Sequence, residues 1–88
     1  MKELVEFIAK RLVDKPEEVI VKERESETTM VIELKVAQED IGKIIGKEGK
    51  TIRSIRLLLS ASSAKMRKRA VLELIEDDKP PRVEPATA

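Results

Sequence analysis

The chain has 88 residues, 18 of them Lys or Arg and 17 Asp or Glu, with a single Phe and no Cys, His, Trp or Tyr. A length this short allows one small domain, and without Cys or His it has neither a disulfide nor a common zinc site to reinforce a small core, so the fold must rest on aliphatic packing. The missing residue types also remove the usual proton shuttles and the best nucleophile, so no enzymatic activity, cofactor or metal is expected.

Between Lys2 and Asp14 the apolar residues Leu4, Val5, Ile8 and Leu12 recur at three- and four-residue spacings, with Phe7 beside them, which predicts a helix with one core-facing side. Pro16 stops it. Val19–Arg24 is a β-branched run, and from Thr28 to Val36 the pattern alternates, with Met30, Ile32, Leu34 and Val36 on the side expected to be core. The polar link Glu25-Ser26-Glu27 between the two runs predicts an antiparallel hairpin with one buried face. Gln38–Ile45 reads as a short helix, with Ile41 and Ile44 or Ile45 inward. A second helix starts near Lys50, with Ile52, Ile55, Leu58, Leu59 and Ser62 as its buried stripe, and the small-residue cluster Ser60–Ala64 is expected to end it. Period two returns from Arg67 to Ile75, where Ala70, Leu72 and Leu74 face one way, so a third strand is predicted there. After Glu76 three of the four prolines crowd into residues 77–88, which are expected to form a disordered tail. The order α-β-β-α-α-β over residues 1–76 defines a two-layer α+β domain, a three-stranded sheet backed by helices.

The formal net charge of +1 hides an uneven distribution. Residues 1–42 hold 7 basic and 11 acidic side chains, residues 43–69 hold 9 and 1, and residues 70–88 hold 2 and 5. Within the basic stretch lies Gly46-Lys47-Glu48-Gly49, between the two middle helices. Both glycines can adopt positive φ and admit a ligand close to the backbone, and the helix that follows at once turns its free N–H groups and positive dipole end toward the same gap. Lys43, Lys47, Lys50, Arg53 and Arg56 surround it with positive charge, and only Glu48 opposes them. Such a place suits a phosphate.

Ile45-Gly46-Lys47-Glu48-Gly49-Lys50-Thr51-Ile52 resembles the I-G-x-x-G-x-x-I core of KH domains, whose GxxG loop clamps the backbone of about four single-stranded nucleotides. The predicted element order is similar to the type II arrangement of that fold. The length resembles the minimal single-KH RNA-binding proteins of bacteria, the KhpA type. This resemblance implies that Gly46, Lys47, Glu48 and Gly49 form an RNA clamp, with Ile44, Ile45 and Ile52 shaping the apolar floor or the core beneath it. By charge and spacing Lys43, Lys50, Arg53 and Arg56 are expected to meet phosphates, and Thr51 lies inside the motif. Bases would occupy a groove between the second helix of the motif and the strand near Leu34 to Val36. The family likeness further implies an RNA chaperone or post-transcriptional regulator, acting as a homodimer or as a heterodimer with a larger KH-containing protein of the KhpB or Jag type, and affecting cell shape and peptidoglycan homeostasis. One Phe without Tyr or Trp disfavours modules that stack bases on aromatics.

Three other readings compete. Gly49-Lys50-Thr51 matches the end of a Walker A motif, but Ile44 stands where that motif needs Gly. A helix-turn-helix DNA reader shares the outline of two helices with a glycine turn and a basic second helix. A protein-association adaptor would use the contrast between the acidic ends and the basic middle. A second cluster, Lys65-Met66-Arg67-Lys68-Arg69, either extends a phosphate track or is a solvated loop. No apolar run exceeds three residues, far short of the ~20 that cross a bilayer. Glu3 and Glu6 stand where a secretory signal would keep basic and then apolar residues, so a cytoplasmic location is expected.

Overall fold

The computed structural model describes residues 1–76 and the backbone of residues 82–85. Helix α1 (Lys2–Leu12) carries Glu3 in its first turn and Lys10 and Arg11 in its last, each sign opposing the dipole end it adjoins. The chain turns extended at Val13, and Pro16 opens a single 3-10 turn over Pro16–Glu18. Strands β1 (Ile20–Glu25) and β2 (Thr29–Lys35) pair antiparallel from Ile20↔Lys35 to Glu25↔Met30. No glycine is needed at their turn, because the Ser26 hydroxyl accepts the Thr29 N–H at 3.0 Å while the Ser26 N–H bonds the Thr29 carbonyl at 2.8 Å. A 3-10 turn (Gln38–Asp40) leads into helix α2 (Ile41–Ile45), the glycine turn follows, and helix α3 (Lys50–Ala64) returns the chain for strand β3 (Arg69–Ile75). Because the α2–α3 crossover brings the chain back in the same direction, β3 pairs parallel to β2, from Thr29↔Arg69 to Lys35↔Ile75.

These three strands and three helices make the α+β arrangement expected from the sequence. The sheet is mixed, with the helices on one face. Its buried side consists of Val21 from β1, Met30, Ile32 and Leu34 from β2, and Ala70, Leu72 and Leu74 from β3. Val5, Ala9, Ile44, Ile52, Ile55 and Leu59 cover it from the helices.

Three local expectations are corrected. On α1 the buried positions are Val5 and Ala9, followed by Val13, whereas Leu12 is 37% exposed and Phe7 58%. Ala9, fully buried, lets the helix approach the sheet closely, and a pattern weighted toward large side chains misses it. On α3 Ile52, Ile55 and Leu59 are buried as expected, but Leu58 is turned outward and Ser63 is buried where Ser62 was expected. The helix ends at Ala64, the last residue of the small cluster expected to end it, with Ser60–Ser63 still helical. Its serines do not break it because they return their hydroxyls to the preceding turn, Ser63 Oγ to the Ser60 carbonyl at 3.1 Å and Ser54 Oγ to the Lys50 carbonyl at 2.9 Å.

The third correction concerns the C-terminus. Arg82–Pro85 form a fourth strand, β4, antiparallel to β3 from Val71↔Pro85 to Leu74↔Arg82, so a disordered tail does not describe these four residues. The open edge of β3 offers backbone donors and acceptors, and such pairing needs none of the large apolar side chains whose scarcity suggested disorder. The rest of the expected tail, residues 77–81 and 86–88, lies outside the described residues.

Candidate nucleic-acid interface

The glycine turn is built from unusual backbone conformations. Gly46 has φ 76° and ψ 172°, a region open in practice only to glycine. A Cβ there would fall 2.6 Å from Thr51 Cβ and 2.9 Å from the Thr51 backbone nitrogen, and nearer still to Thr51 Oγ1. Gly46 is therefore required twice, by torsion and by the close approach of Thr51. Glu48 (φ 57°) and Gly49 (φ 74°) are both left-handed, and at Gly49 only Arg53 Nη1, at 3.8 Å, comes near a notional Cβ. Gly49 is thus a matter of torsion alone.

The turn closes on itself through Gly49 N–H to the Gly46 carbonyl at 3.1 Å, and it is joined to α2 by Gly46 N–H to the Gly42 carbonyl at 2.8 Å. Gly46, Gly49 and Lys50 spend their N–H groups within the turn, and α3 begins directly behind it with no side chain capping its N-terminus, so the N–H groups of its first turn are the donors on offer. Lys47, Glu48, Lys50 and Arg53 are exposed around it, while Gly46, Gly49 and Thr51 are half-buried. Lys47, Lys50 and Arg53 have no carboxylate partner among the described residues. The result is a compact anion-receptive corner: backbone donors, a helix dipole and three unneutralised cations.

Some expected site residues lie elsewhere in function. Lys43 Nζ is 3.1 Å from Asp14 Oδ2 and 3.6 Å from Asp40 Oδ1, so its charge is held by one carboxylate just past α1 and one just before α2. The Asp14 carboxylate, through its hydrogen bond and its charge, raises the Lys43 pKa above the ordinary lysine value. Ile44 and Ile52 are buried in the core, the second of the two places expected for them, and Leu34 and Val36, expected beside a base groove, are buried there too. Ile45 is partly buried against the core and remains the apolar member closest in sequence to the turn. Arg56 is half-buried and engaged, on the same helix as Arg53.

Asp40 was not singled out from the sequence. It is 1% exposed, and its two oxygens accept the backbone N–H groups of Asp14 at 3.3 Å and Lys15 at 3.0 Å. Burial pushes its carboxyl pKa up, but the two backbone donors and Lys43 outweigh burial and hold it below the ordinary aspartate value. Asp40 thereby ties the chain leaving α1 to the start of α2, the helix that delivers the glycine turn. An acidic residue just before a helix is the only sequence signal for it, and its partners are 25 and 26 residues away.

A mixed sheet with helices on one face, and a G-x-x-G turn feeding an uncapped helix, define a KH-type domain. The model of the KhpA/KhpB KH-domain family matches residues 2–74, and the chain belongs to that family, which is not a family of enzymes. It is 52% identical over 75 residues to RNA-binding protein KhpA of Clostridium perfringens, covering 85% of this chain and all of that one. RNA-binding protein KhpA of Chlamydia pneumoniae is 51% identical over 77 residues, 88% of this chain and 99% of that one. The protein of the same name from Borreliella burgdorferi is 49% identical over 74 residues, 84% of this chain and 90% of its own. No solved structure matches the chain.

Proposed function

We propose that this chain binds single-stranded RNA without enzymatic activity, gripping the phosphate backbone at Gly46–Gly49. The observation that carries the reading is the left-handed glycine turn at the uncapped start of α3, rimmed by the unpaired cations Lys47, Lys50 and Arg53. The relatives' shared name, RNA-binding protein KhpA, supports it. A grip built on backbone donors and charge reads little sequence, so weak sequence preference is expected. Thr51 buttresses Gly46, and Ile45 offers the apolar contact beside the turn.

The finer parts of the proposal follow from this weak grip. A module contacting about four nucleotides gains from being paired. Leu57 and Leu58, 69% and 49% exposed, stand with Ala61 on the solvent side of α3 and offer a surface for a second copy or for a larger KH-containing protein of the KhpB or Jag type. We place the protein in the cytoplasm as an RNA chaperone or post-transcriptional regulator, with cell shape and peptidoglycan homeostasis as its downstream effects. No helix among the described residues is long and apolar enough to cross a membrane.

Fluorescence anisotropy with a short single-stranded RNA and a duplex DNA of equal length tests the reading. With about four phosphates neutralised, log K for the RNA should fall with log salt at a slope of roughly −3. Preference for the duplex would favour a helix-turn-helix reader, and absence of binding to either would favour an adaptor.

A further inference from the structure

At least three of the seven described cations outside residues 43–69 are spent on carboxylates: Lys10 on Glu6, Lys15 on Glu39, and Arg24 on Glu33 and Glu73. The exposed cations Lys65, Arg67 and Arg69 have no partner among the described residues. They sit at the far end of α3 from the glycine turn, about 22 Å away for a helix of 15 residues.

This second cluster is held in place. Met66 N–H and Lys68 N–H bond the Ser63 carbonyl at 3.0 and 3.3 Å, Arg67 N–H bonds the Ala64 carbonyl at 3.2 Å, and Arg69 N–H bonds the Thr28 carbonyl at 2.9 Å. Lys68 is anchored by an ion pair with Glu25 of β1. One cation of the cluster thus fastens the turn while its neighbours stay exposed. Among the described residues, Arg67 is one of two non-glycine residues with positive φ, at 56°, and the other is Glu48 in the glycine turn. A bulky side chain in that conformation carries strain.

No acidic residue occurs between Glu48 and Glu73. Arg53, Arg56, Ser60 and Ala64 follow one another at three- and four-residue spacings, so one flank of α3 runs from the clamp to the helix end without meeting a carboxylate of its own, and the turn that follows carries Lys65 and Arg67.

We propose that Lys65 and Arg67, with Arg69 beside them, form a second phosphate-binding site for single-stranded nucleic acid, engaging the strand outside the nucleotides held by the glycine turn. This inference rests on the clamp reading. It makes the footprint longer than the four nucleotides a single clamp holds.

The test compares a 4-nucleotide and a 12-nucleotide single-stranded RNA on the unaltered chain and on the variant Lys65→Gln/Arg67→Gly. Glycine suits the positive φ at position 67, so the substitution removes charge without adding strain. The variant should bind the 4-mer as the unaltered chain does. Its affinity for the 12-mer should fall roughly tenfold, and its salt slope for the 12-mer should become shallower by about 1.4, two phosphates' worth. The slope is the deciding quantity, because the larger number of registers on a longer strand raises affinity without changing it. Equal 12-mer slopes for the two proteins would overturn the second site, even if melting temperature changed, since cations at a helix C-terminus can also serve the dipole. Failure of the unaltered chain to bind either RNA would instead overturn the clamp reading, and this inference with it.

Discussion

Gly46 and Gly49 occupy equivalent places in the sequence motif but carry different demands. At Gly46 a side chain meets both a forbidden torsion and the backbone of Thr51, while at Gly49 it meets only the torsion. Gly46→Ala should therefore destabilise the fold by about 2–4 kcal/mol, and Gly49→Ala by about 1 kcal/mol, measured by urea unfolding. Equal losses would mean that Thr51 is not the constraint. Asp40 sets a second prediction. Its carboxylate has a depressed pKa in the folded state, so its contribution is fully present above the unfolded aspartate range and is lost as pH falls through the lower folded value. Asp40→Asn should lower the melting temperature at pH 7 and flatten the acid limb of the stability profile. A variant whose melting temperature declines with acid as steeply as the parent's would show that Asp40 does not carry this pH dependence. Lys43 and Lys15 have raised pKa values, so their contributions persist below the ordinary lysine range and vanish only as alkaline pH passes the raised values.

Among the elements, α3 serves three purposes on different sides. Ile52, Ile55 and Leu59 anchor it in the core, its N-terminus backs the glycine turn, and Leu57 and Leu58 face outward. Leu57→Ser/Leu58→Ser should leave monomer stability within about 0.5 kcal/mol while abolishing self-association or partner capture, as read by sedimentation. By contrast Leu72→Ala, on the central face of β3, should cost about 2–5 kcal/mol because its side chain is fully enclosed. A small loss there would place the core elsewhere.

The element order was legible in the sequence because alternation and three-to-four spacing mark buried faces strongly, as in Met30-Ile32-Leu34 and Ala70-Leu72-Leu74. The G-x-x-G turn was legible because its glycines are obligatory. The outward turn of Leu58 and the burial of Ser63 in place of Ser62 were not, since Leu58 and Leu59 are equally apolar and Ser62 and Ser63 identical, and only the sheet beneath chooses between them. Nor were the neutralisation of Lys43 and the role of Asp40, which depend on partners brought together by the fold. β4 was hidden for a related reason, because its pairing with β3 is a backbone interaction at an edge.

Taken as a whole, the molecule is nearly neutral yet electrically divided. Carboxylates absorb Lys10, Lys15, Arg24, Lys43 and Lys68, and exposed positive charge remains at both ends of α3. A domain this small buries only about 60% of its unfolded surface, so a partner covering Leu57 and Leu58 would also add stability. The central claim is that RNA is held at the glycine turn, whose two middle side chains, Lys47 and Glu48, the fold itself does not need. Lys47→Asp/Glu48→Asp tests it most directly, because both side chains are exposed and Asp tolerates the left-handed conformation at position 48. Titrating this variant with single-stranded RNA should show binding abolished while the melting temperature stays close to that of the unaltered chain. Undiminished affinity would contradict the account.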